Sequence, residues 1–365
     1  MFDRKFVQYF DWGLLGLALV LGGLGLLTLY SVVTADATTG PLYYKQLTWL
    51  CGGLFLMAAA FLFNYKLLDR HAFAIYIFSV LLLVAVLLIG KVGGGSKRWL
   101  AFGPVSVQPS EFVKLAVIVI LARYYSKNAY TRGFTLRELI SPLVLVLVPA
   151  VLIVKQPDLG TALLIFIIAG SMTLFVKIER RSLLILFTTG IIAVPMVWFV
   201  LKDYQKQRIM TFLNPDRDPL GAGYHIIQSK IAIGSGMFGG KGYLKGTQNA
   251  LSFLPEQHTD FIFSVFAEEW GFAGSAIVIL IFLLLIIWGL NVAYGCRDAF
   301  GTIMAVGISA MIFWQVLVNI GMVMGLLPVV GVTLPFISYG GSSLVTMMVS
   351  AGLLINVSMR RFTLE

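Results

Sequence analysis

The stretch GTQNALSFLPEQHTDFIFSVFAEEWG, Gly246–Gly271, decides how the chain is read. A long polar segment ends here and a very apolar helix begins. Thr259 and Asp260 stand at the junction. Ser, Thr and Asp favour helix N-caps, because their oxygens accept backbone N–H groups left without partners in the first turn. One reading of Asp260 is therefore a cap. The other is a carboxylate at a membrane surface, placed to take a proton from a lipid-borne substrate. If Asp260 starts the helix, Ser264 and Glu268 share its face at i+4 and i+8. Glu268 then lies roughly 12 Å deeper. An ionisable group at that depth is costly and marks a functional pathway or a buried pair.

Outward from this stretch, the 365 residues are 59% hydrophobic and 12% charged, with a mean hydropathy of +0.90. Soluble domains carry about 25% charged residues. The expected class is an all-α polytopic membrane protein. Apolar runs of about 20 residues fall near 12–33, 43–63, 72–90, 109–124, 138–154, 158–176, 182–201, 262–290, 300–325 and 338–358. The expectation is about ten transmembrane helices forming one domain over 1–365, with one long loop at 202–261. The first run has Arg4 and Lys5 before it and Ala35-Asp36-Ala37 after it, like a signal peptide. Its apolar part is too long for one and further spans follow, so it reads as a retained anchor.

Orientation follows from the basic residues. Arg70, Arg123, Lys127, Arg180, Arg181, Arg297, Arg360 and Arg361 all fall in segments on the side of the N-terminus. Short cytoplasmic loops are enriched in Lys and Arg, so both termini are expected inside and the 202–261 loop outside. The net charge of +10 suits anionic lipid. No Lys/Arg–aromatic patch stands free of the membrane, which excludes nucleic acid as a partner. Cys51 falls in a span and Cys296 in a turn, on different levels, so no disulfide is expected. His71, His225 and His258 lack metal-ligand spacing. His71 is expected in a cytoplasmic turn and His258 in the loop beside Asp260.

Several shorter patterns carry two readings each. In QPSEFVKL, 108–115, Pro109 suits a first helical turn, and Glu111 and Lys114 pair at i, i+3. That pair is either a structural ion pair at the membrane edge or part of a polar cavity near Asp260. GSGMFGGKG, 234–242, fails the Walker pattern because Ser235 replaces the first Gly and Gly242 follows Lys241. It remains either a close approach to a diphosphate, with Lys241 and Lys245 supplying charge, or a plain surface turn. IIQSKIAIGSG reads as an amphipathic helix lying on the membrane, with Ile226, Ile227, Ile231 and Ile233 partly buried. Arg98 and Arg208 are solvated surface residues or phosphate ligands, since the guanidinium fork matches phosphate oxygens. Asp158 reads as a helix cap. In SYGGSS, 338–343, Ser338, Tyr339, Ser342 and Ser343 either bond a sugar or headgroup or only pack. Gly321 and Gly325 form a GxxxG pair, taken as helix packing.

FLPEQHTDFIFSVFAEEWG closely resembles the signature of the SEDS family (shape, elongation, division and sporulation), the peptidoglycan glycosyltransferases of bacterial membranes. KRW at 97–99, QPSEFVKL, KQPDLGTAL at 155–163, NPDRDPLGAGYHIIQSKIAIGSG at 214–236 and LPFISYGGSS at 334–343 match in the right order. YHIIQSKIAIGSG followed by KGTQ is closer to the elongation branch, which serves rod shape, than to the division branch.

The resemblance implies a cytoplasmic-membrane enzyme with its site on the outer face and lipid II as substrate. The implied reaction is inverting glycosyl transfer. The GlcNAc 4-hydroxyl of one molecule attacks the MurNAc anomeric carbon of the glycan-bearing donor, and undecaprenyl diphosphate leaves. Asp260 is then the base. Arg98, Lys114, Arg208 and Lys241, with a divalent cation such as Mg or Mn, are candidates for neutralising the leaving group. Glu111, Glu268 and Ser342 complete the expected substrate site. A class B penicillin-binding protein is the expected partner, since the chain has no Ser-x-x-Lys transpeptidase motif. The alternatives are a lipid II flippase, against which the lack of an inverted repeat counts, and a silent scaffold for wall enzymes.

Overall fold

The computed structural model describes residues 10–35, 40–93, 96–103, 105–128, 133–201, 203–218, 221–250 and 257–361. Its helices are α1 (Trp12–Ala35), α2 (Gly40–Leu62), α3 (Lys66–Ile89), α4 (Pro109–Lys127), α5 (Leu136–Lys155), α6 (Leu159–Phe175) and α7 (Arg180–Val200). They continue with α8 (Asp203–Leu213), α9 (Ala222–Ser235), α10 (Thr247–Ala250), α11 (Ile262–Gly295), α12 (Ala299–Val323) and α13 (Gly341–Arg360). All ten expected apolar runs fall on helices. Seven of the helices, α1, α2, α3, α5, α11, α12 and α13, are long and apolar enough to cross a membrane. The helical class is as expected, with one addition. Strands β1 (Lys91–Gly93), β2 (Ser96–Phe102) and β3 (Val105–Val107) form a small antiparallel sheet between α3 and α4, pairing Lys91 with Trp99 and Leu100 with Val107.

Two helices form the centre. In α13, 94% of the apolar window is buried, and in α12 72%, against 17% in α2. Helix α13 packs chiefly along α2, and α12 along α11, α4 and α6. Apolar side chains gain little by leaving lipid for protein, so close packing and buried hydrogen bonds hold such helices together. Helix α13 carries its polar residues accordingly. The hydroxyls of Thr346 and Ser350 bond back to the carbonyls of Ser342 and Thr346, each four residues earlier. Asn356 donates to the carbonyls of Ala60 and Phe63 at the far end of the bundle.

Three local expectations change. His71 lies inside α3, with Nδ1 3.0 Å from the Leu67 carbonyl, because that helix starts a turn earlier than the apolar run suggests. Gly321 and Gly325 do not form one packing face: a Cβ at Gly321 would meet Leu327, and one at Gly325 would meet Lys230 of α9. Gly325, at φ +69°, ends α12 in a Schellman motif. Leu326 N–H bonds Gly321 O at 2.7 Å, and Gly325 N–H bonds Met322 O at 3.1 Å. More than half of the described residues of the 202–261 segment are helical, and α9 packs against α11 and α12. Ser229, fully buried, bonds the Ser264 hydroxyl at 2.8 Å and the Val323 carbonyl at 2.6 Å. Ile226 is buried while Ile231 is exposed, with Ile227 and Ile233 between. Cys51 and Cys296 are both free thiols.

Candidate active site

The helix after Asp260 begins at Ile262, with Phe261 at the cap position and no side-chain cap. Asp260 is therefore not the N-cap. It is half-buried in the preceding turn, Gln257–Phe261. That turn is pinned from outside its own helix. Ser338 Oγ donates to Thr259 O at 2.7 Å and accepts Leu334 N–H at 2.8 Å. Tyr339 N–H bonds His258 O at 2.9 Å. Asn319, on α12, donates its amide to Asp260 O at 3.0 Å and to Val332 O at 2.6 Å. The carboxylate faces the 329–334 segment: a Cβ added at Gly331 would lie 3.4 Å from Asp260 Oδ2.

That same segment collects other expected residues. Arg208, on α8, donates Nη1 to Val329 O at 3.3 Å. The start of α6 packs so closely on Val330 that a Cβ at Gly160 would meet its carbonyl at 2.4 Å. Asp158 caps α6 as expected, accepting Thr161 N–H at 3.2 Å and the Thr161 hydroxyl at 2.9 Å. Thr333 and Ser343 share a hydrogen bond of 2.9 Å. Next to it, Ser342 Oγ accepts Gln108 N–H at 2.9 Å, which fixes the cap residue of α4. One turn into α4, Lys114 Nζ lies 3.0 and 2.9 Å from the two Glu111 oxygens. Lys114 is 1% exposed and Glu111 6%. A buried ion pair is weak evidence of stabilisation, since desolvation offsets much of the attraction. The pair is nearly neutral and lies one turn beyond the α4 cap that Ser342 holds.

The remaining expected residues have other partners. Arg98, on β2, donates Nε to Gln156 O at 3.4 Å and Nη2 to Pro157 O, tying the sheet to the α5–α6 turn. Lys241 and Glu268 pair with each other at 2.6 Å. The GSGMFGGKG turn does not present its amides to a phosphate. Gly240, Lys241 and Gly242 donate N–H to the carbonyls of Gly236, Glu268 and Glu269 at 2.8, 3.0 and 3.0 Å. The turn docks on a kink in α11 at Gly271, and its glycines let two backbones touch.

Asn319 and Gln46 escaped the sequence reading, and Ser338, read there as a sugar or headgroup contact or as packing, instead pins the Asp260 turn. Gln46 Nε2 bonds Ser338 O, and its Oε1 accepts Gly340 N–H, both at 3.2 Å. The available signal was an amide inside an apolar run, which a membrane helix does not carry without a partner. The ring of Tyr339 stands edge-on to His258 at 5.7 Å. Among the described residues, no three His, Cys, Asp or Glu side chains converge to cage a cation.

Fold and site together define a multi-pass helical membrane protein with one half-buried carboxylate in a polar layer at one end of the bundle. The family described as "Cell cycle protein" (FtsW/RodA/SpoVE) matches residues 11–362, and the chain belongs to it. It is 42% identical to peptidoglycan glycosyltransferase MrdB of Escherichia coli (strain K12), covering 92% of this chain and 91% of that one. It is 34% identical to peptidoglycan glycosyltransferase RodA of Treponema pallidum (strain Nichols), covering 97% and 99%. Among solved structures, one described as "Structural coordination of polymerization and crosslinking by a peptidoglycan synthase complex" superposes with a TM-score of 0.82 at 32% identity, covering 97% and 98%. The rod-shape-determining protein RodA of Thermus thermophilus superposes with a TM-score of 0.71 at 28% identity, covering 97% and 98%.

Proposed function

We propose that this chain is a peptidoglycan glycosyltransferase that polymerises lipid II for cell elongation and rod shape, with Asp260 as general base. The single observation that carries the base assignment is the setting of Asp260. It stands in the turn before the helix, whose cap position is Phe261, with its main-chain carbonyl held by Asn319 and its carboxylate facing Gly331. Asp260 takes the proton of the acceptor 4-hydroxyl as that oxygen bonds the donor's anomeric carbon. The anomeric C–O bond to the diphosphate breaks on the opposite face, and the diphosphate leaves with the electron pair. Such a leaving group needs positive charge more than a proton. Lys114 shares its charge with Glu111, so that pair is close to neutral overall. Arg208 donates one N–H to Val329, and a guanidinium has five donors, which makes it the better phosphate ligand. We assign a divalent cation, Mg or Mn, to the diphosphate of the substrate and not to a protein cage. The site faces the outside of the cytoplasmic membrane and both termini the inside, on the distribution of basic residues.

The test is glycan synthesis from lipid II by purified protein in detergent, where a flippase has no sides to connect. Asp260→Asn keeps the size of the side chain and cannot accept the proton. Polymerisation should fall by about 10²–10⁴-fold with the protein still folded. Near-normal synthesis by that variant would remove Asp260 from the chemistry.

A further inference from the structure

We propose that Asn319 is a positioning residue for the glycosyl-transfer step, acting on Asp260 through the main chain. The inference rests on the reading of Asp260 as the base. Asn319 is 0% exposed, one turn from the end of α12, the second most deeply buried of the apolar helices. Its single NH2 group donates both protons, one to Asp260 O at 3.0 Å and one to Val332 O at 2.6 Å. It thus joins the turn that bears the carboxylate to the segment the carboxylate faces. Arg208 and the start of α6 also attach to that segment, at Val329 and Val330. The amide therefore sets the distance between the base and the groups opposite it, without touching substrate. Ser338 anchors the carbonyl of Thr259, and Asn319 anchors that of Asp260. A displacement of about 1 Å in a reacting group can cost on the order of 100-fold in rate.

A structural role alone would act on stability everywhere alike, and the fold supplies its own control. Asn356, on α13, is also 0% exposed and also donates its amide to two main-chain carbonyls, those of Ala60 and Phe63, at the opposite end of the bundle. Asn319→Leu, Asn319→Ser, Asn356→Leu and Asp260→Asn are compared in detergent, with thermal unfolding and the kcat and KM for lipid II measured on the folded fraction. Asn319→Leu should lower kcat roughly 10- to 100-fold with KM within about twofold. Asn319→Ser keeps one donor and should recover part of kcat. Asn356→Leu should lose stability and keep kcat. If Asn319→Leu does not fold, the serine variant decides by the same measure. Unchanged kcat in the Asn319 variants, or a rise in KM alone, would overturn the proposal, as would an equal fall in kcat in Asn356→Leu. An active Asp260→Asn would instead overturn the base assignment, so the two failures are distinct.

Discussion

Lys241 Nζ lies 2.6 Å from Glu268 Oε1, although one residue belongs to a loop and the other to a fully buried position on α11. The same carboxylate accepts Thr247 N–H at 2.8 Å, the Thr247 hydroxyl at 3.0 Å and Gln248 N–H at 3.1 Å. The depth that marked Glu268 as a candidate in the substrate route is filled from outside by the loop, which closes over it. The pair is a clamp between the 236–248 segment and α11, separate from the polar layer around Asp260.

The clamp predicts an order of stabilities. Removing one partner of a buried pair strands the other charge. The Lys241 side chain keeps some solvent, 27% exposed against 0% for Glu268, so the loss is moderated. Lys241→Met should cost about 2–3 kcal/mol. Glu268→Gln keeps an oxygen for Thr247 and Gln248 and should cost about 1 kcal/mol. The double variant should be more stable than Lys241→Met alone. Thermal unfolding in detergent checks the order, and a double variant weaker than both singles would dissolve the clamp.

Gly271 predicts a sharper loss. Its φ of 66° and ψ of −163° break α11 where the glycine turn docks. A Cβ there would lie 2.3 Å from Gly240 N and 2.7 Å from Phe238 O. Backbone atoms on both sides cannot give way as a flexible side chain would. Gly271→Ala should release the 236–248 segment, read as proteolysis inside it while the rest of the bundle stays protected. A variant as resistant as the parent would show that the kink adjusts at little cost.

The apolar helices were legible in the sequence because each carries a long apolar run, whereas α8 and α10 lay in a segment read as a loop. Asp260 was legible from its place between a polar loop and an apolar helix, together with the family wording around it. Glu111 and Lys114 could be paired because three residues on a helix bring side chains together. The rest of the site is non-local. Gln46 and Ser338 are 292 positions apart, and Asn319 reaches Asp260 across 59. No periodicity encodes such contacts. The glycine turn misled for a related reason: glycines that admit a phosphate and glycines that admit another backbone look alike until the partner is seen.

Topology has a direct test. Lys127 is exposed at the end of α4, near Phe134, which bonds Lys177 O at the end of the bundle away from Asp260. Gly239 is exposed in the glycine turn, and an added Cβ there would meet nothing within 4 Å. With Cys51 and Cys296 replaced by Ser, Gly239→Cys should react with an impermeant thiol reagent in cells stripped of outer barriers. Lys127→Cys should react only after lysis. The reverse pattern would put Asp260 on the cytoplasmic side, where it could not meet a translocated substrate.

The last prediction concerns cross-linking. A wall needs peptide bridges as well as glycan strands. The chain has no Ser-x-x-Lys nucleophile motif. Its longest stretch outside the apolar helices, between Val200 and Ile262, is built from α8, α9 and α10 around the clamp and the polar layer. That stretch is well short of the roughly 100–150 residues of a typical enzyme domain. This protein should therefore polymerise without cross-linking, and a separate transpeptidase, a class B penicillin-binding protein, should supply that step. The structural relative described as a peptidoglycan synthase complex that coordinates polymerisation and cross-linking fits this division of labour. The GxxxG pair on α12 offers no open face to a partner helix, because Gly325 ends the helix against Lys230 and Gly321 faces Leu327. Exposed faces such as that of α11, with Ile277, Leu280, Leu284 and Ile287, remain available to a single-span partner. Purified chain given lipid II should make uncross-linked glycan, and adding the partner should give penicillin-sensitive cross-links. Cross-links made by this chain alone would show the division of labour to be wrong.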